Sequence, residues 1–170
     1  MPGPGYYFSG DEELQEVLEV LKTGHLSRYG SDDDPKFLHK VYTLEQEFKE
    51  KMNARHCVAL ASGTTALMAC LTAIGIKPGD EVLVPGYTFV ATFSAVIAVG
   101  GKPVMVEVDE SLTMDVEDAR AKITPRTKVI LPVHMLGNPC DMAAITALAK
   151  EHNLFLIEDC CQALGATYRG

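Results

Sequence analysis

The sequence predicts an α/β domain built on a mostly parallel sheet with helices on both faces, preceded by a helical N-terminal stretch. Two observations predict this. From residue 56 onward, short apolar runs alternate with helical stretches, the pattern of successive strand–helix–strand units. Parallel strands joined in this way are covered by their crossover helices. The chain also has the means for a real core: 170 residues, 47% apolar and 22% charged, as in ordinary globular proteins. No repeat or low-complexity segment interrupts the pattern.

Residues 1–10 are rich in Gly, Pro and aromatics and are expected to form an extended arm. Asp11, Glu12 and Glu13 then open an amphipathic stretch with Leu14, Val17, Leu18 and Leu21 at helical spacing. Acids in the first turn suit the helix dipole, and Gly24 supplies the stop. A polar loop occupies 25–37, after which Val41, Leu44, Phe48 and Met52 share one face of a second helix. Residues 1–55 therefore read as an arm with helices, and 56–170 as the α/β domain. Within the latter, strands are expected at 57–61, 81–84, 103–106, 128–132 and 154–158, with helices at 64–74, 89–99, 116–123 and 142–151. A parallel sheet cut soon after the last strand, at Tyr168-Arg169-Gly170, exposes an edge. An incomplete domain is the expectation.

Charge and cysteine content exclude several function classes. With 15 basic and 23 acidic residues the formal charge is −8, which disfavours nucleic acid as a partner because phosphate binding needs a basic face. No apolar run approaches membrane-spanning length, and the first residues have neither the basic nor the apolar region of a secretory signal. Cys57, Cys70, Cys140, Cys160 and Cys161 form an odd set without a disulfide framework, so they read as reduced thiols of a cytoplasmic protein. The histidines (25, 39, 56, 134 and 152) lack metal-ligand spacing, and no metal is expected.

Ligands of open parallel sheets bind beyond the carboxyl ends of the strands, and four segments fall there. Ala61-Ser62-Gly63-Thr64-Thr65 passes from a strand into a helix and offers free backbone amides, a hydroxyl and a favourable dipole to an anion; a simple N-cap is the plainer alternative. In Pro85-Gly86-Tyr87-Thr88-Phe89 an aromatic side chain either stacks on a flat ring or packs in the core. Leu154-Phe155-Leu156-Ile157 delivers Glu158 and Asp159 to a strand end, where a desolvated acid needs a cationic partner such as a protonated ring nitrogen; a metal or a helix cap are the competing partners. Gln162 could donate to a ring substituent or cap a helix. His134, after the strand at 128–132, could face the same site, although a lone His is more often structural. Neither GxGxxG, a P-loop nor GxSxG is present, which argues against dinucleotide binding and that type of hydrolase chemistry.

Taken in order, Ser62-Gly63-Thr64, Gly79-Asp80-Glu81-Val82, Pro85-Gly86-Tyr87-Thr88-Phe89-Val90-Ala91-Thr92 and Glu158-Asp159-Cys160-Cys161-Gln162-Ala163 resemble the DegT/DnrJ/EryC1/StrS sugar aminotransferases, from about Gly24 to Gly170. The resemblance implies the large domain of a fold-type-I pyridoxal-phosphate (PLP) enzyme, here without its C-terminal small domain. It implies that Ser62, Gly63 and Thr64 hold the cofactor phosphate, that Phe89 stacks on the pyridine ring, that Asp159 pairs with the ring nitrogen and that Gln162 contacts the ring hydroxyl. Tyr29 and His134 are candidates for the substrate's surroundings. The implied reaction moves an amino group from glutamate or glutamine to a nucleotide-linked keto-sugar or cyclic ketone, in a homodimer with shared active sites. The arm at 1–10 and the loop around Arg28-Tyr29-Gly30 are candidates for reaching the neighbour. Asn138 stands where relatives frequently have Gln, a difference that bears on substrate and not on cofactor.

One part is missing from the pattern. The resemblance implies a Schiff-base lysine downstream of Gln162, beyond Gly170, and none of Lys22, Lys36, Lys40, Lys49, Lys51, Lys77, Lys102, Lys122, Lys128 and Lys150 matches it. No catalytic residue is therefore expected in this chain, which reads as a fragment of a longer enzyme. Three alternatives stay open: a PLP-dependent sugar dehydratase of the same fold, which replaces that lysine by histidine, a short protein that pairs with a second polypeptide, and a non-catalytic sensor.

Overall fold

Residues 4–170 are described by the computed structural model, and they divide into two units, one up to Ala59 and one from Leu60 onward.

The first unit contains two helices. In α1 (Asp11–Thr23) the Glu13 carboxylate accepts the Gly10 N–H at 2.7 Å, and Gly24 closes the helix in the left-handed conformation at φ 75. The lysine that opens α2 (Lys40–Lys51) pairs with Glu16 and Glu19 of α1. Glu45 is the buried residue of α2, and its carboxylate accepts both a two-pronged Arg28 contact (2.6 and 2.5 Å) and the Ala59 N–H at 2.7 Å. These donors hold the Glu45 carboxyl below its ordinary range, the Ala59 amide foremost. Pro4–Phe8 forms a 3-10 helix, which corrects the extended arm expected at 1–10; proline presets a helical φ at its first position. The first three residues of that arm lie outside the described residues.

The second unit is a four-stranded parallel sheet in the order β2-β1-β3-β4, with β1 at Glu81–Pro85, β2 at Lys102–Val106, β3 at Thr127–Ile130 and β4 at Phe155–Leu156. β1 is buried along its whole length, as a central strand must be. The edge position of β2 tolerates Pro103, which has no N–H to give a ladder. Side chains alternate across the sheet. Val82, Val84, Val129 and Leu131 meet Leu67 and Leu71 of α3 (Gly63–Ile74) and Ala95 and Val96 of α4 (Val90–Ala98) on one face. Leu83 and Ile130 meet Ala119 of α5 (Val116–Ala121) and Ile145 and Leu148 of α6 (Met142–Glu151) on the other. Helices do cover both faces, and residues with strand period 2 feed two separate cores.

The chain leaves β1 toward β2 by way of α4, then crosses back past β1 to β3 by way of α5. Such a reversal opens a crevice at the strand ends between β1 and β3. Beyond Ile130 the ladder continues as single bonds: Ile157 N–H to the Ile130 carbonyl (3.1 Å), Asp159 N–H to that of Pro132 (3.0 Å) and His134 N–H to that of Asp159 (3.1 Å). The acid expected at the end of the last strand is thus fixed by two backbone bonds to the segment that follows β3.

Four of the five expected strands form, each starting within a residue of its expected position; of these the first ends one residue later than expected, the second as expected, and the last two each end two residues early. The run at 57–61 does not: it has no ladder partner among the described residues, and Val58 and Leu60 stay exposed. An apolar run shows that a segment can lie in a sheet, but pairing requires a neighbour.

Candidate functional site

Three loops converge on one open cavity of about 330 Å³. Its wall includes Ser62, Gly63 and Thr64 from the start of α3, Thr88, Phe89 and Thr92 after β1, and Asp159, Cys161 and Gln162 after β4. All six residues expected to bind a cofactor are in that set. No lysine is.

At the α3 end, Ser62 is the N-cap: its hydroxyl accepts the Thr65 N–H at 3.2 Å while the Thr65 hydroxyl accepts the Ser62 N–H at 3.0 Å. The plainer of the two readings of Ser62 therefore holds for its side chain. The capping leaves the amides of Gly63 and Thr64, which have no intrahelical acceptor, at the positive end of the helix dipole, where an anion is favoured. Gly63 packs closely on the loop after β4: a Cβ there would lie 2.8 Å from Cys161 Sγ, and that thiol would have to move.

Phe89 is the N-cap residue of α4 and is 67% exposed. Core packing, the alternative fate of this ring, is excluded. An apolar ring left on the wall of a cavity has a face available to a flat partner.

On the same cavity wall, Asp159 is 7% exposed and its two carboxylate oxygens are separately held. Oδ1 accepts the Cys161 N–H at 3.1 Å, and Oδ2 accepts the Thr92 hydroxyl at 3.3 Å. The Thr92 hydroxyl is in turn 3.0 Å from that of Thr88. The Cys161 thiol is pushed up to about 11, chiefly by its hydrogen bond to the Asp159 carboxylate and then by burial. Burial, followed by the charges of Glu158 and Asp159, raises Cys160 as well. Both thiols stay protonated at neutral pH, and neither offers a nucleophile. Gln162 accepts the Leu136 N–H through Oε1 at 2.9 Å, which leaves its amide N–H groups as donors at the cavity.

Two expected residues are placed elsewhere. His134 is buried, its Nδ1 accepting the Cys140 N–H at 3.1 Å and its Nε2 lying 3.1 Å from Glu158, so the ring is occupied on both sides and does not line the cavity. Its tie to the site is its backbone N–H on Asp159. Tyr29 belongs to the first unit, 77% exposed and stacked under the Arg28 guanidinium at 5.5 Å. Asn138 donates to the Ser111 carbonyl at 3.1 Å, a bond that ties together two segments 27 residues apart. The residues that the sequence did not single out are Thr88, Thr92 and Cys161. A threonine at position 92 within the apolar run Val90–Ala98 is the one signal that the sequence carried, and the fold buries it to 1% exposure.

The cavity thus joins an anion-favouring helix end, an exposed aromatic face, a buried carboxylate suited to a cationic partner and a side-chain amide donor. A flat, ring-shaped ligand with an anionic tail and a protonated ring nitrogen satisfies all four. Among the described residues no group of His, Cys, Asp and Glu could hold a metal, and no helix is long and apolar enough to cross a membrane.

Comparison with known proteins points the same way. Residues 8–170 match the model of the DegT/DnrJ/EryC1/StrS aminotransferase family. The chain is 44% identical over 161 residues to the spore coat polysaccharide biosynthesis protein SpsC of Bacillus subtilis, covering 94% of this chain and 39% of that protein. It is 49% identical over 141 residues to a UDP-N-acetyl-3-dehydro-alpha-D-glucosamine 3-aminotransferase of Acidithiobacillus ferrooxidans, covering 81% of this chain and 38% of that one. In structure it is similar to an aminotransferase from Psychrobacter cryohalolentis, with a TM-score of 0.89 at 38% identity, over 100% of this chain and 41% of the other. The chain spans about two fifths of the length of the curated relatives it matches.

Proposed function

The chain belongs to the DegT/DnrJ/EryC1/StrS aminotransferase family, and from that premise we propose that it forms the pyridoxal-phosphate-binding part of an enzyme that aminates a nucleotide-linked keto-sugar or a cyclic ketone. Glutamate or glutamine is the proposed donor, a cytoplasmic homodimer the proposed working unit, and the anchoring lysine is supplied from outside the residues of this chain. The observation that supports this most is the convergence of Gly63, Thr64, Phe89, Asp159 and Gln162, drawn from three separate loops, on one cavity without a lysine. The relative named as a UDP-N-acetyl-3-dehydro-alpha-D-glucosamine 3-aminotransferase supports the substrate class.

In this reading each residue has one task. The amides of Gly63 and Thr64 hold the phosphate at the α3 end. Phe89 covers one face of the ring and keeps water from it. The Asp159 carboxylate holds a proton on the ring nitrogen, which a neutral side chain cannot do as well. Gln162 donates to the ring oxygen through its free N–H. Bound pyridoxal phosphate supplies an electron sink that lets a bond at the amino-bearing carbon break.

The test is an intact mass of the protein from its native source, treated with pyridoxal phosphate and borohydride. One reduced adduct on a lysine outside residues 1–170, in a polypeptide well above 18.4 kDa, is the expected result. A mass of 18.4 kDa with no adduct would sink the proposal that this polypeptide is part of a transaminase. Phe89→Ala is expected to weaken cofactor binding by about tenfold or less, the worth of one aromatic contact, read by fluorescence titration with pyridoxal phosphate. An unchanged dissociation constant would remove the stacking role.

A further inference from the structure

We infer that Thr92, backed by Thr88, is a positioning residue that fixes the Asp159 carboxylate toward the cofactor, an inference that rests on the pyridoxal-phosphate reading above. A hydroxyl costs free energy to bury unless it is hydrogen-bonded, and the Thr92 side chain is 1% exposed, on a helix whose Ala95 and Val96 are wholly buried. Packing alone would be served equally by valine, which has the same shape without the oxygen. The oxygen is engaged on both sides: it lies 3.3 Å from Asp159 Oδ2 and 3.0 Å from the Thr88 hydroxyl. An ionised carboxylate can only accept, so the Thr92 proton points at Asp159 and Thr88 donates to Thr92. Such a chain strengthens each bond in it.

The second oxygen of Asp159 is fixed independently by the Cys161 N–H at 3.1 Å. With the Thr92 hydroxyl on one oxygen, the Cys161 N–H on the other and the Cys161 thiol also bonded to the group, the carboxylate is held against rotation about its terminal bond at the cavity that Thr88, Thr92 and Asp159 all line. Thr92 therefore acts on the cofactor through Asp159. Thr88, half-buried at the cavity wall, acts one bond further out.

The experiment uses the full-length protein and measures, for wild type and variants, the dissociation constant of pyridoxal phosphate and the visible circular dichroism of the bound cofactor, which reports how rigidly it is held. Thr92→Val is expected to weaken binding on the order of tenfold and to diminish the dichroism, the loss of one hydrogen bond to a charged group. Thr92→Ser, which keeps the hydroxyl, is expected to stay close to wild type, and Thr88→Val to fall between. Wild-type affinity and dichroism in Thr92→Val, or a loss in Thr92→Ser equal to that in Thr92→Val, would overturn the inference. A wild-type protein that takes up no pyridoxal phosphate overturns the cofactor reading itself and this inference with it, so the two failures are told apart by the wild-type titration.

Discussion

Asp159→Asn is expected to lower the rate of amino transfer by about two to three orders of magnitude while leaving the protein folded, because it removes the charge of a buried pair and little else. Asparagine has the same size as the aspartate it replaces. Its carbonyl oxygen can keep the Cys161 N–H, and its amide nitrogen can donate to the Thr92 hydroxyl, whose own proton then turns toward Thr88. Every buried group stays satisfied, so the melting temperature should hold. In the proposed reading, what is lost is the negative charge that would keep a proton on the ring nitrogen, and with it the electron-withdrawing power of the ring. The check is steady-state kinetics of the full-length enzyme saturated with pyridoxal phosphate, beside a thermal melt. A rate within severalfold of wild type, with the fold intact, would show that Asp159 is not the partner of the ring nitrogen.

Glu81→Ala is expected to cost about 2–3 kcal/mol of folding stability without weakening cofactor binding. Glu81 begins β1, at the end of the strand remote from the cavity, and its side chain is 2% exposed. Thr124 donates to Oε2 at 2.6 Å, and Arg126 and Lys102 reach Oε1 at 2.9 and 3.1 Å. The cost stays below that of breaking a fully buried pair, since the side chains of Lys102 and Arg126 are 61% and 64% exposed and remain hydrated when the carboxylate is gone. These partners, the Thr124 hydroxyl first and Arg126 next, lower the Glu81 carboxyl from the ordinary 4.5 to about 2. A carboxylate lowered on folding stabilises the native state above its unfolded value. That stability is lost as pH falls from about 4.5 through about 2. Urea melts of wild type and Glu81→Ala across this window should therefore converge toward low pH. Parallel curves would mean that Glu81 contributes no charge-dependent stability.

Much of this protein was determined by the sequence alone. Strand-length apolar runs alternating with helical stretches specify a parallel sheet between two helical layers, because alternation at period 2 and period 3.6 leaves few other ways to bury both sets of side chains. Ligands of such a sheet lie beyond its strand ends, so Gly63, Phe89 and Asp159 were legible as candidate site residues, and the fold brings all three to one cavity. Their local chemistry is short-range: a glycine and threonine opening a helix, an aromatic after a strand, an acid after four apolar residues.

What the tertiary structure decided depends on partners distant in sequence. Glu81 reads as an ordinary strand residue until the fold brings Thr124 and Arg126 to it, and Thr92 as an ordinary helix residue until Asp159 meets it from 67 residues away. The ring of His134 was free to face the site in sequence, but Cys140 and Glu158 occupy both its nitrogens. The run at 57–61 has the composition of a strand and no neighbour to pair with among the described residues. Periodicity and turn chemistry are written within a few residues of one another and can be read locally. Hydrogen bonds between buried polar side chains join elements that only folding places side by side.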